Sequence, residues 1–118
     1  MNQYVNTNSS PTFSDVTISS DARLKTNIEV IKNALDLIMR IDGVTYNWSE
    51  EMLRKAPDKS GQLSYGVIAQ ELEQIVPDLV KNIPNSEYKA VIYDGLIPIL
   101  IQAIKELYQE IEKLKLDC

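Results

Sequence analysis

Histidine is absent from this chain of 118 residues. That removes every catalytic scheme built on an imidazole base, Ser-His-Asp and Cys-His arrangements included. Cysteine occurs once, at Cys118, which excludes an intrachain disulfide and a cysteine-based zinc site. No metal or other cofactor is expected, and no phosphate loop is visible. Basic residues are the minority, 12 Lys and Arg against 17 Asp and Glu, for a net charge of −5. A nucleic-acid partner, which needs a basic face, is therefore not expected. No run of ~18 apolar residues occurs, so no transmembrane helix and no membrane partner are expected. The first residues show no basic stretch followed by an apolar one, so no signal peptide is expected. Met1 falls in mid-pattern, and the native chain is expected to extend upstream. If a serine is a nucleophile here, its base must be a lysine or a carboxylate, and Ser-Lys pairs are a known solution.

What the chain does have is 44% hydrophobic residues, enough for one modest core that association would enlarge. Thr26-x-x-Glu29 has the form of a capping box ahead of Val30, Ile31, Ala34, Leu35, Ile38 and Ile41 at three- and four-residue spacing. This predicts a helix over 28–40, stopped by Asp42-Gly43. Residues 44–48 alternate and read as a strand, with Trp48 as a core anchor. A short helix opened by Ser49 covers 49–53, and Pro57 and Gly61 mark 54–62 as a loop. A strand follows over 63–68 and a short helix over 69–75, stopped before Pro77. Residues 79–83 and 88–93 form a hairpin around Pro84-Asn85-Ser86-Glu87. The fold class is α+β: a small globular part of helices and short antiparallel strands, then one long helix.

That helix runs from Leu96 to Leu116, with Gly95 as its N-cap and Pro98 harmless in its first turn. Ile97, Ile104, Ile111 and Cys118 fall at heptad position a, and Leu100, Leu107 and Leu114 at d. Its first half also carries Ile99, Ile101 and Ala103, and apolar character nearly all round predicts burial within the globular part. The seam persists to the last residues, which favours a parallel coiled coil over a helix folded only on its own domain. Glu110 at g is placed to pair with Lys115 at e of a neighbouring helix. Ile at a with Leu at d leans toward a dimer.

The pattern Ser20-Asp21-x-Arg23-x-Lys25-x-x-Ile28 is followed by Val44-Thr45-Tyr46-Asn47-Trp48. Next come Tyr65-Gly66-Val67-Ile68-Ala69-Gln70-Glu71-Leu72 with Val76-Pro77, and Tyr93 through Leu107. In this order the segments resemble the self-cleaving intramolecular chaperone domain of phage tail spikes, endosialidases and neck appendages. A related domain occurs in myelin regulatory factor. The likeness covers residues 20 to about 115. It implies a homotrimer, since the fibres such domains cap are threefold, and we take the trimer over the dimer.

The resemblance further implies that Ser20 attacks the Ser19-Ser20 bond with Lys25 as general base. The domain would register its own upstream fibre segment and then release itself, within the host cytoplasm during phage assembly. Lys25 must be neutral to accept a proton, so its pKa must fall from ~10.4 through burial or neighbouring positive charge. Arg23 would supply that charge or bind a carboxylate such as Asp21, and the sequence leaves both open. Five residues fully extended span roughly 17 Å, and on a helix i and i+5 point ~140° apart. The segment must therefore bend, or the lysine must come from another chain. Residues 1–19, rich in Asn, Ser and Thr, are either the end of the upstream stalk or a disordered leader; Val16 and Ile18 suit a short strand. Residues 20–118 are the chaperone domain. A non-catalytic trimerisation cap is the alternative function, and an adaptor presenting the acidic helix a weaker third.

Overall fold

The computed structural model describes residues 17–117. Val16 and Cys118, to which a strand and a heptad position were assigned, lie outside them. The chain divides into two compact units, Met1–Val30 and Ile31–Cys118.

The described part of the first unit contains one regular element, a 3-10 turn over Ala22–Leu24. Nothing apolar is sequestered there: Leu24, Ile28 and Val30 are all exposed. Asn27 adopts a left-handed conformation, φ 54°, which asparagine tolerates better than most residues. The segment is held by its own hydrogen bonds rather than by packing. Ile18 has no regular secondary structure.

The second unit is α+β. Helix α1 (Ala34–Met39) is followed by β1 (Val44–Tyr46), α2 (Glu50–Lys55), β2 (Ser64–Gly66) and α3 (Ala69–Glu73). Then come β3 (Val80–Asn82), β4 (Lys89–Val91) and α4 (Leu96–Leu116). β1 and β2 pair antiparallel with Val44 opposite Gly66. β3 and β4 do the same with Val80 opposite Val91. The β3–β4 hairpin is closed by left-handed Asn85, φ 60°, and Ile83 N–H donates to the Tyr88 carbonyl at 3.0 Å. Ser49 caps α2, its hydroxyl accepting from Met52 N–H.

The core lies where α1 crosses α4. Ala34, Ile99 and Ala103 are buried there, with Ile31, Leu35, Leu37, Ile38, Val76 and Leu79 around them. Small side chains at Ala34 and Ala103 let the two backbones approach closely. Leu72 of α3 is also buried, with almost no exposure.

Three expectations are corrected. α1 starts at Ala34, not near Ile28, and Thr26 and Glu29 cap nothing. Asn33, also left-handed at φ 59°, precedes α1 and makes no side-chain cap. The cap comes from far along the chain: Glu106 Oε2 and Oε1 accept from the Ala34 and Leu35 amides, both at 2.9 Å. A carboxylate suits the unpaired N–H groups and positive end of a helix. Second, Trp48 is half-buried rather than a core anchor. Its ring meets Tyr46 edge-on at 5.1 Å and carries Lys59 at 5.3 Å.

Third, the first half of α4 is not buried all round. Only Ile99 and Ala103 are covered, because a six-residue α1 shields one side of the helix. The opposite side presents Ile97, Leu100, Ile101, Ile104, Leu107, Ile111 and Leu114, each 44–65% exposed, with Tyr108 beside them. Positions a and d, with e at Ile101 and Tyr108, therefore form one bare apolar stripe. Within the chain Glu110 pairs with Lys113 and Glu112 with Lys115.

Candidate active site

The 3-10 turn brings together the two side chains singled out in the sequence. Lys25 Nζ lies 2.7 Å from Ser20 Oγ and donates to it. The chain bends to achieve this, so a single chain suffices for the contact. Leu24 N–H donates to the Asp21 carbonyl at 2.9 Å, and Lys25 N–H to the Ala22 carbonyl at 3.1 Å. Lys25 itself is back in extended backbone, φ −123°, ψ 151°, which sends its side chain toward Ser20.

Asp21 is the N-cap of this turn. Its Oδ1 accepts from the Arg23 amide at 2.8 Å and from Arg23 Nε at 3.1 Å, and its Oδ2 accepts from Nη2 at 2.7 Å. The guanidinium thus binds the carboxylate, one of the two options the sequence left open. The side-chain hydrogen bond from Arg23, helped by that from its amide, holds the Asp21 carboxyl below its ordinary value; Arg23 is correspondingly raised. Ser19, Ser20 and Lys25 are all exposed.

A hydroxyl and an amine at this separation can exchange a proton in either direction. With the amine neutral the contact reverses, the hydroxyl donates, and its oxygen becomes the better nucleophile. A Ser-Lys pair is competent for acyl chemistry on a neighbouring carbonyl without histidine or metal.

In the second unit sequence reasoning missed several long-range polar contacts, the Glu106 cap among them. Another is Tyr93, whose hydroxyl accepts from Val67 N–H at 3.0 Å. A side chain at position 66 would collide with that hydroxyl, so Gly66 is the residue that admits Tyr93. The tyrosine thereby ties the exit of β2 to the segment entering α4.

The family profile Peptidase_S74, described as chaperone of endosialidase, matches residues 20–81, a span that opens on Ser20. Similar sequences include the long tail fiber protein Gp37 of Salmonella phage S16, 34% identical over 107 residues, 86% of this chain and 14% of that protein. Gp37 of Enterobacteria phage Ox2 is 35% identical over 107 residues, 87% of this chain and 41% of that protein. Gp37 of Enterobacteria phage K3 is 30% identical over 104 residues, 86% of this chain and 8% of that protein. The chain thus spans less than half the length of each of these relatives.

Proposed function

This chain belongs to the chaperone-of-endosialidase family, and on that premise we propose that it is a self-releasing assembly chaperone for a phage tail fibre. Residues 20–118 are the chaperone and 1–19 the end of the fibre it registers. Three copies join through α4, align the upstream chains, and cut the Ser19-Ser20 bond once assembled. The fibre then stays in the virion tail.

The observation that carries the cleavage reading is the 2.7 Å contact between Lys25 Nζ and Ser20 Oγ. Neutral Lys25 takes the hydroxyl proton while Ser20 Oγ adds to the Ser19 carbonyl carbon. That oxygen is tethered to the same peptide unit by Cβ, Cα and N, so the addition closes a small ring and needs no docking step. The carbon–nitrogen bond then breaks. The Ser20 amine takes the proton back from the Lys25 ammonium, and Ser19 is left esterified to Ser20 Oγ. Water hydrolyses the ester, giving a Ser19 carboxylate, a free Ser20 hydroxyl and a chaperone that begins with the Ser20 amine. Solvent reaches Lys25 in the single chain. Neighbouring chains in the trimer would exclude it, favouring the neutral amine and tying cleavage to assembly.

The bare a/d/e stripe of α4 supports the assembly. A two-stranded coiled coil needs a narrower a/d seam, whereas an e position added to it matches a helix with more than one neighbour. Burying the remaining exposure of each stripe residue is worth on the order of 1 kcal/mol per side chain. A trimer also raises the effective concentration of the upstream ends, which lowers the entropic cost of starting a fibre with non-local contacts.

Intact-mass analysis of the chain expressed with its native upstream region tests the reading, wild type beside Ser20→Ala and Lys25→Ala. Wild type is expected to yield a fragment beginning at Ser20 and both variants only full-length chain. Equal full-length masses for all three would leave a trimerisation cap without catalysis, which the α4 stripe supports by itself.

A further inference from the structure

We propose that Asp21 and Arg23 are positioning residues for the Ser20–Lys25 pair. The Asp21 carboxylate, closed on both the amide and the guanidinium of Arg23, makes the turn that returns Lys25 to Ser20. This deepens the self-cleavage reading and rests on it.

The turn has little else to hold it. Its apolar neighbours Leu24 and Ile28 face solvent, so no packing fixes its shape. Two backbone bonds close it, and one carboxylate accepts three more from a residue two positions on. If these are released the segment can extend toward a reach of roughly 17 Å, far from hydrogen-bond distance. Such an exposed pair contributes little to global stability. Its effect falls on geometry, where a displacement of about 1 Å costs a reaction ~100-fold.

The arrangement also fixes what Arg23 does not do. A free guanidinium near Lys25 would drive the lysine toward its neutral form by repulsion. Here Nε and Nη2 both donate to Asp21, the closer at 2.7 Å, so the pair offers Lys25 almost no net charge. The planar fork matters as well as the charge, since one ammonium cannot reproduce two directed bonds.

The test measures first-order cleavage from about pH 6 to about pH 10 at fixed, physiological ionic strength, in trimers confirmed by sedimentation and carrying the upstream region. Asp21→Ala and Arg23→Gln are expected to lower the rate ~10- to 100-fold at every pH. The pH of half-maximal rate should stay where it is. Arg23→Lys should recover little, and Asp21→Asn, which keeps the cap and loses the charge pair, should fall between. An upward move of the half-maximal pH in Arg23→Gln, with an unchanged plateau, would overturn the proposal and make Arg23 an electrostatic partner of Lys25.

A second measurement does not depend on cleavage. In the uncut chain, a nuclear Overhauser contact between Lys25 Hε and Ser20 Hβ is expected in wild type and lost in Asp21→Ala. Its persistence in Asp21→Ala, or its absence from wild type, would overturn the positioning role. A wild-type chain that shows this pattern yet never cuts would instead sink the self-cleavage reading and leave the turn's role standing.

Discussion

The segment around Ser20 and the α1–α4 pair are stabilised in opposite ways. Between Ser20 and Lys25 every identified bond joins residues within five positions of one another, and none of the side chains is buried. Between α1 and α4 the defining contact joins residues 71 and 72 positions apart, around an alanine with no exposure at all. Reactive geometry here is written locally, and structural stability is written across the chain. A damaged core should therefore destabilise the domain, whereas a damaged turn should leave it folded and slow the proposed cleavage.

The largest effect expected from breaking this contrast is at the α4 stripe. Ile104 is 65% exposed in the single chain, so Ile104→Asp should leave the monomer's fold nearly intact. In a trimer it would bring three carboxylates to one axis, at a cost of several kcal/mol. Sedimentation should show monomers with unchanged far-UV circular dichroism. A stable trimer of the variant would move the interface off the a/d/e stripe.

Next comes the core. Ile99→Ala removes a buried side chain between α1 and α4 and should cost about 2–4 kcal/mol in urea unfolding. An unchanged midpoint would show that α1 does not rest on α4. Smaller again is Glu106→Ala, which strips the two amides of their acceptor and should cost about 1–2 kcal/mol. Glu106→Gln keeps one oxygen and should cost less. Equal losses in both variants would show that one neutral acceptor oxygen contributes nothing to the cap.

The smallest effect belongs to the turn under acid. Asp21 is held below its ordinary value by Arg23, so the contribution of the pair is fully present above the unfolded carboxyl value of ~3.9. It is lost as pH falls through the lowered folded value. Amide shifts of Arg23 and Leu24 should therefore move only at strongly acidic pH. Movement already centred at an ordinary aspartate value would show that the pair is not formed.

The same contrast explains what the sequence made legible. Hairpin 80–91 was readable from Pro84-Asn85, α2 from Ser49, and α4 from its heptads and Gly95, because turn chemistry and periodicity act within a few residues. The Ser20–Lys25 pattern was readable too, though the bend was visible only as a requirement. Asp21 and Arg23 two positions apart were the available signal for it. The start of α1 was misread because Thr26-x-x-Glu29 fits a cap while the left-handed backbones of Asn27 and Asn33 prevent one. Glu106 could not have been found by spacing, since no local pattern links it to Ala34. Trp48 was placed in the core by residue type, but its ring is taken up by Tyr46 and Lys59 at a half-exposed position.

The most direct test of assembly followed by self-cleavage is the intact mass of the chain with its native upstream region, wild type beside Ile104→Asp. The account predicts a fragment beginning at Ser20 from the wild type and an uncut chain from the monomeric variant, although its Ser20 and Lys25 are untouched. Cleavage of that monomer at the wild-type rate would contradict it.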